Sequence, residues 1–172
     1  MAPLNQALKF GFITGLALIA YTVTLYVANV NLFATVFSIV NGLITFGGMI
    51  FMTVFAINKT RDLMLSGKIT FLQSFIVGFV TLIIMSYINS LFSFVLNEYI
   101  DPTYMTAQLD NFIAGMEGKV PEETLETIIE SMEANLDPTK GLIKGLWITP
   151  LASIGISAII SLFIKKDITA QA

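Results

Sequence analysis

Residues 69–96 read ITFLQSFIVGFVTLIIMSYINSLFSFVL, and this run contains no charged side chain. As a helix rising about 1.5 Å per residue, it would be longer than the bilayer hydrocarbon core, which is roughly 30 Å thick. Three further apolar runs without charge cover residues 10–30, 32–57 and 146–164. Since backbone groups in lipid must be hydrogen-bonded within their own segment, we expect all four runs to be transmembrane helices.

The composition also indicates a membrane protein. Hydrophobic residues make up 55% of the 172 residues and charged residues only 12%, against about 25% charged residues in soluble domains. The mean hydropathy is +0.81. We therefore predict an all-α integral membrane protein, a four-helix transmembrane bundle that forms a single membrane domain over residues 1–172. Its transmembrane helices are expected at about 10–30, 32–57, 69–96 and 141–164, with an extracytoplasmic helical insert at 97–140.

The charges predict the orientation of the chain in its membrane. If four helices cross, six basic residues and only two acidic ones share the side of the termini: Lys9, Lys59, Arg61, Lys68, Lys165 and Lys166, with Asp62 and Asp167. The other side holds three lysines and ten carboxylates. Lys and Arg near span ends are retained in the cytoplasm, so both termini are expected there. The first run is too long for a signal-peptide core, so we expect it to remain as a helix.

The connections are short except for the insert. Asn29-Val30-Asn31 predicts a tight hairpin between the first two helices, with little room for a site, and Ser66-Gly67 predicts a turn before the third helix. The insert shows two amphipathic helical patterns. The first is expected to start at Asp101-Pro102-Thr103, with Asp101 as its cap, and the second at Pro121. Asp137 is expected to cap the fourth transmembrane helix. We expect both insert helices to pack against protein.

Polar residues inside the predicted spans are few and form a seam along the helices. It comprises six residues on helices two, three and four: Asn41, Thr45, Asn89, Ser93, Ser153 and Ser157. Small and hydroxyl residues let transmembrane helices approach closely, so close packing explains the seam without a ligand. The alternative is a pathway or a binding site for a neutral solute or lipid, with Asn41, Asn89, Tyr87 and Gln73 as hydrogen-bonding groups. No ionisable residue lies at the midplane, which disfavours coupled transport.

The residue types exclude several chemistries. The chain has no histidine and no cysteine, which removes thiol catalysis, haem and most transition-metal sites. Glu122, Glu126, Glu130 and Glu133 share one helical face, but such a face is a solvated surface rather than a converging cation site. We therefore predict no catalytic residues, no metal and no cofactor. Thr149-Pro150 predicts a kink in the fourth helix at Pro150, near Trp147 as an interfacial anchor.

The stretch Gly67-Lys68-Ile69-Thr70-Phe71, followed by Ser74, Phe75 and Gly78, carries a family resemblance, as does the run Tyr99-Ile100-Asp101-Pro102-Thr103-Tyr104. With four helices, an initial hairpin and a hydrophilic insert before the last helix, the chain resembles the bacterial inner-membrane family labelled domain of unknown function 4199. The resemblance implies this topology and a bacterial cytoplasmic membrane. It implies no activity, substrate or cofactor.

These patterns predict a non-enzymatic multi-pass inner-membrane protein that acts through helix packing, as a homo-oligomer or as a subunit of a membrane complex. The alternative is a small-solute or lipid-binding carrier, which requires a cavity at the polar seam instead of tight packing. The expected partners are the lipid bilayer and a second copy or another membrane subunit. We expect no nucleic-acid partner.

Overall fold

The computed structural model describes residues 2–165, which form six α-helices and one π-helical turn. In chain order these are α1 Ala2–Val27, α2 Thr35–Met64, α3 Phe71–Val95, the π-helical turn Leu96–Ile100, α4 Tyr104–Met116, α5 Glu122–Glu133 and α6 Pro138–Ile164. The helices α1, α2, α3 and α6 are long and apolar enough to cross a membrane. The chain is therefore a multi-pass membrane protein.

The long helices extend beyond several of the predicted spans. The first begins at residue 2 instead of 10, because polar side chains on an exposed helix surface do not interrupt the helix. It ends at Val27, before Asn29 takes a φ of 47°. The second continues past Ile57 to Met64 and stops at the predicted turn, where Ser66 and Gly67 have φ of 52° and 80°. The fourth starts at Pro138, three residues before the predicted 141.

Helix α3 lies at the centre and contacts α1, α2 and α6. Its contact with α1 is the closest, because two glycines bring the backbones together. A Cβ added at Gly11 would lie 2.8 Å from the Cβ of Ile84, and one at Gly15 would lie 2.9 Å from the Cβ of Ile88. The hydroxyl of Thr81 also donates across this contact to the carbonyl of Ala7, at 3.3 Å. The Gly-x-x-x-Gly spacing on α1 is thus a true close-packing surface.

The four long helices have two different ends. We call the end that carries α4 and α5 the insert end, and the end where α1 begins and α6 finishes the termini end. The buried apolar cluster is formed by Ala7, Ala56, Ile57, Ile69, Val77 and Ile160. Because these residues lie at the termini end, that end is closed by apolar packing. Two residues counted above for the orientation of the chain, Lys166 and Asp167, lie outside the described residues.

The insert docks onto the connection between α1 and α2. Gln108 of α4 is only 2% exposed, and its amide oxygen accepts from the backbone N–H of Leu32 at 3.1 Å. Its amide nitrogen donates to Asn29 at 3.3 Å. Phe112 of α4 contacts the ring of Phe33, with centroids 6.5 Å apart. The helix α5 contacts α4, and none of its residues is fully buried.

Candidate functional site

One polar face of α3 borders open space at the insert end. Ser86, Asn89, Ser93 and Asn97 follow one another at steps of three and four, and Ser90 lies four residues after Ser86, so the five share one side of the helix. All five are half-buried and all line a cavity of about 390 Å³. That volume lies within the range of ligand pockets, about 300–1,000 Å³.

The remaining walls of this larger cavity come from α1, α2, α4, the start of α6 and the segment before it. Leu18 of α1, Met49 of α2 and Met105 of α4 supply apolar surface. The start of α6 and the segment before it close the fourth side, with Asn135, Leu136, Asp137, Pro138, Gly141 and Leu142. The cavity therefore has one strongly polar wall, on α3, and mixed walls elsewhere.

A smaller chamber of about 200 Å³ lies between α1, α2 and α3. Asn41 and Thr45 line it from α2, and Tyr104 of α4 lines it from the insert. The hydroxyl of Tyr21 donates to the side-chain oxygen of Asn41 at 2.9 Å, which ties α1 to α2. Leu18, Asn89 and Ser93 line both this chamber and the larger cavity. The walls of this chamber are the helices themselves, and Leu32 is the residue of the α1–α2 connection that lines it.

Two side-chain oxygens in the larger cavity have no hydrogen-bond donor among the described residues. They are the amide oxygens of Asn89 and Asn97, and both are buried. The amide nitrogen of Asn97 donates to the carbonyl of Ser93 at 2.8 Å, so its oxygen is the atom left over. The hydroxyl oxygens of Thr14, Ser74, Ser157 and Ser161, which line neither cavity, are also buried without a partner, so such atoms are not confined to the cavity walls.

Asp137 is the one formally charged residue among the described residues that line the two cavities. It is the N-cap of α6, and its carboxylate accepts from the backbone N–H of Lys140 at 3.0 Å. That backbone hydrogen bond lowers the pKa of Asp137 below its ordinary value of 3.8, with a smaller contribution from the charge of Lys140. The carboxylate is thus already engaged in capping the helix.

The insert closes the smaller chamber through a tyrosine pair. The rings of Tyr26 and Tyr104 meet edge to face, with centroids 4.9 Å apart. The hydroxyl of Tyr26 donates to Asp101 at 3.2 Å. Burial raises the pKa of Tyr104, and the nearby Tyr26 and Asp101 raise it further. Both rings therefore stay neutral over the physiological range, and α4 is held against α1.

A family comparison accounts for nearly the whole chain. The model described as "Protein of unknown function (DUF4199)" matches residues 9–166. The chain belongs to this family. Neither curated proteins nor solved structures give a match. The matched region of this DUF4199 chain includes every residue that lines the two cavities.

The structure divides the predicted polar seam of the DUF4199 chain into two parts. Asn41, Thr45, Asn89 and Ser93 come together around the cavities at the insert end. Ser153 and Ser157 do not reach the cavities and are buried at 3% and 0% exposure. A Cβ added at Gly78 would lie 3.4 Å from the hydroxyl of Ser157, so the serines of α6 serve close packing there. Gln73 belongs to neither part, because it forms a capping box with Thr70 at the start of α3.

Of the two predicted helix caps, the structure contains one, and the predicted proline lies inside a continuous helix. Asp137 caps α6. Asp101 is not the N-cap of α4, because that position is Thr103. Asp101 precedes it and accepts from the backbone N–H of Thr103 at 3.2 Å, which forms a turn ahead of the helix. The helix α6 runs through Pro150 without a break, and the angle of a kink there stays a prediction.

Two residues with clear structural roles, Gln108 and Tyr21, were missed by the sequence patterns. Gln108 flanks the predicted apolar face of α4, and only its burial against the α1–α2 connection shows its role. Tyr21 is a tyrosine inside an apolar run, where a buried hydroxyl usually has a partner. Tyr87, named above as a hydrogen-bonding group for a ligand, lines neither cavity, and its hydroxyl donates to the carbonyl of Leu146 at 3.1 Å. Because Pro150 has no N–H, this is the carbonyl that the helix itself cannot satisfy.

The described residues contain no group of three or more acidic side chains placed to hold a metal ion. The glutamates of α5 stand along an exposed helix surface. What the site offers chemically is a set of neutral amides and hydroxyls around a partly open cavity. Such a set suits binding by hydrogen bonds.

Proposed function

We propose that this DUF4199 protein is a non-enzymatic membrane protein that binds a small solute or a lipid group in the larger cavity at the insert end. The observation that carries the proposal is the polar face of α3, where Ser86, Asn89, Ser90, Ser93 and Asn97 all line one cavity of about 390 Å³. A polar side chain that serves packing lies against a neighbouring helix instead, as Ser157 lies beside Gly78.

The closed termini end supports binding within the cavity rather than an open channel. Ala56, Ile57, Val77 and Ile160 are almost completely buried there and pack together. Both cavities described above lie toward the insert end. A bound molecule would therefore enter and leave from the insert end or from the side. A carrier role would require the apolar cluster to open.

A cavity-filling variant tests this proposal. In Ser93→Phe a large side chain occupies the wall shared by both cavities, whereas Ser38→Phe places the same ring on an exposed position of α2. Both variants would be purified gently with native lipids and measured by native mass spectrometry. We expect a small molecule retained by wild type and Ser38→Phe to be lost from Ser93→Phe. Wild-type protein without any retained molecule, or equal retention by both variants, would refute the proposal.

A second candidate function is that of a homo-oligomer or a subunit of a membrane complex. It is favoured by the exposed apolar surface of α2. An added Cβ atom at Gly47 would meet no atom within 4 Å, and Val36 and Leu43, on the same side of α2, are 77% and 70% exposed. A small residue on an exposed helix surface allows a second helix to approach closely. Gly47→Leu should then dissociate an oligomer in light scattering, while Gly115→Leu on α4 should not. Equal mass for both variants and wild type would count against this candidate.

We also propose that the termini end is cytoplasmic and that the membrane is the bacterial inner membrane. The charge asymmetry supports this orientation, because Lys9, Lys59, Arg61, Lys68 and Lys165 all belong to the termini end. The chain has no cysteine, so single-cysteine labelling reads the orientation directly. Asn111→Cys on α4 should react with an impermeant maleimide in intact cells, and Ser66→Cys should react only after lysis. The reverse pattern would contradict the orientation.

A further inference from the structure

The smaller chamber between α1, α2 and α3 has walls that suit an uncharged molecule. Leu18, Leu25 and Leu32 supply apolar surface, and Tyr21 and Tyr104 supply aromatic surface. None of the described residues that line this chamber is charged. An ion placed there would lose its hydration without gaining an opposite charge, which is strongly unfavourable. An occupant of the smaller chamber is therefore uncharged.

The side chain of Asn41 offers its amide nitrogen to the smaller chamber. Its amide oxygen accepts from the hydroxyl of Tyr21 at 2.9 Å, so the oxygen is already engaged. The amide nitrogen forms no hydrogen bond with the described residues and, unlike the amide oxygens of Asn89 and Asn97, is not buried. An amide nitrogen carries two hydrogens and only donates. Asn41 therefore presents a hydrogen-bond donor whose direction is fixed by Tyr21.

Asn89 presents the same end of its amide from α3. Its oxygen is buried, whereas its nitrogen is not buried and has no hydrogen-bond partner among the described residues. Because Asn89 lies in the wall shared with the larger cavity, Asn41 is the donor that belongs to the smaller chamber alone. The hydroxyls of Thr45 and Ser93 also line the chamber and can donate or accept. The amide groups thus require an acceptor on the occupant.

We propose that the smaller chamber is a binding site for an uncharged molecule that carries a carbonyl oxygen, with Asn41 as its donor and Tyr21 as the residue that orients Asn41. A carbonyl oxygen accepts hydrogen bonds and brings no proton that needs an acceptor of its own. The volume of about 200 Å³ holds a group the size of one small ring, since one water occupies about 30 Å³. This inference goes beyond the proposed function, because it needs no ligand in the larger cavity.

The first test uses wild-type protein, so it does not depend on the folding of a variant. Isotope-labelled protein in dodecyl maltoside, a detergent without carbonyl groups, would be titrated with cyclohexanone, with methylenecyclohexane and with cyclohexanol. Methylenecyclohexane has the shape of the ketone but carbon in place of its oxygen. The side-chain amide resonances of Asn41 would be followed by NMR. We expect them to shift saturably with cyclohexanone, which should bind about tenfold more tightly than methylenecyclohexane. Equal binding of these two, tighter binding of cyclohexanol, or no saturable shift with any probe would overturn the proposal.

The second test concerns the orientation of Asn41. Tyr21→Phe removes the hydroxyl that engages the amide oxygen, so either end of the Asn41 amide can then turn to the chamber. We expect the preference for cyclohexanone over cyclohexanol to disappear in this variant. Tyr99→Phe is the matched control, because Tyr99 is 72% exposed and lines neither cavity. It should keep the wild-type preference. An unchanged preference in Tyr21→Phe would reject Tyr21 as the orienting residue and Asn41 as the selective donor.

The third test separates two sources of the carbonyl group, a lipid ester and a free molecule. Wild-type protein in dodecyl maltoside would be titrated with dihexanoylphosphatidylcholine and with the matching diether lipid, which has no carbonyl. A shift of the Asn41 resonances with the diester alone would assign the carbonyl to a bilayer lipid. A shift with cyclohexanone and with neither lipid would assign it to a free molecule.

This proposal and the proposed function fail in distinguishable ways. If cyclohexanone binds at Asn41 but wild-type protein retains no native molecule in mass spectrometry, the carbonyl site stands and the proposed function is wrong. If a native molecule is retained by wild type and lost from Ser93→Phe, but the resonances of Asn41 do not respond to cyclohexanone, the proposed function stands and the carbonyl site is wrong.

Discussion

The close contact between α1 and α3 makes a quantitative prediction about Gly11. A methyl group at this position would lie 2.8 Å from the Cβ of Ile84 and 3.0 Å from the carbonyl oxygen of Thr81. Neither atom can move by rotation of a side chain, because a Cβ and a carbonyl are fixed by the backbone. In Gly11→Ala the two helices must therefore shift apart, and overpacking of this kind costs about 1–3 kcal/mol.

The matched control is Gly42→Ala on α2, where an added Cβ meets no atom within 4 Å. Both substitutions gain helix propensity, about 1 kcal/mol for Gly to Ala, so the difference between them isolates the steric effect. We expect Gly11→Ala to be about 1–3 kcal/mol less stable than Gly42→Ala.

The free energy of unfolding would be measured in mixed micelles by circular dichroism as the fraction of denaturing detergent rises. Wild type and both variants would be compared under identical conditions. A difference below about 0.5 kcal/mol, which is the usual range for surface substitutions, would refute the close contact at Gly11. Greater stability of Gly11→Ala than of Gly42→Ala would refute it more strongly.

Three further predictions concern single hydrogen bonds. Tyr87→Phe leaves the carbonyl of Leu146 without its donor and should lower the free energy of unfolding by about 1 kcal/mol. In a Pro150→Ala background the backbone N–H of residue 150 can replace that donor, so the loss should vanish; an equal loss in both backgrounds would reject the pairing. Gln108→Leu should speed amide exchange at Leu32, while Gln6→Leu, on the half-buried surface of α1, should not. The backbone hydrogen bond from Lys140 lowers the pKa of Asp137 below 3.8, so the stabilisation by this cap is present above pH 3.8 and is lost as the pH falls through the lowered pKa. Amide exchange of Lys140 should quicken in that acidic window, and the dependence should be absent in Asp137→Asn, which keeps an amide cap.

Much of the fold was predictable because the patterns are local. An uncharged apolar run long enough to span a bilayer has no alternative to a helix, so residues 69–96 predict α3. The turn at Ser66-Gly67 and the cap at Asp137 depend on the conformational preferences of one or two residues, and both are found where they were expected. The helix ends at residues 2 and 64 were not predicted, because polar residues can continue a helix beyond an apolar run.

The candidate site was only partly predictable. Polar spacing on α3 identified Asn89 and Ser93 as residues of one face, and they do line the cavities. The same kind of spacing on α6 identified Ser153 and Ser157, which are instead buried in close packing. A periodic pattern states which side chains share a helix surface. It does not state whether a neighbouring helix lies against that surface.

The sequence by itself determined that this is an all-helical membrane protein, which four helices are long enough to cross, and that neutral hydrogen-bonding groups dominate its interior. These properties depend on how each segment is solvated, and residues close together in the chain determine that solvation. Only the tertiary structure decided that α3 is central, that the termini end is closed and that polar residues of α3 line a cavity toward the insert end. Those features depend on distances between residues far apart in the chain, such as Gly11 and Ile84, Gln108 and Leu32, and Tyr87 and Leu146.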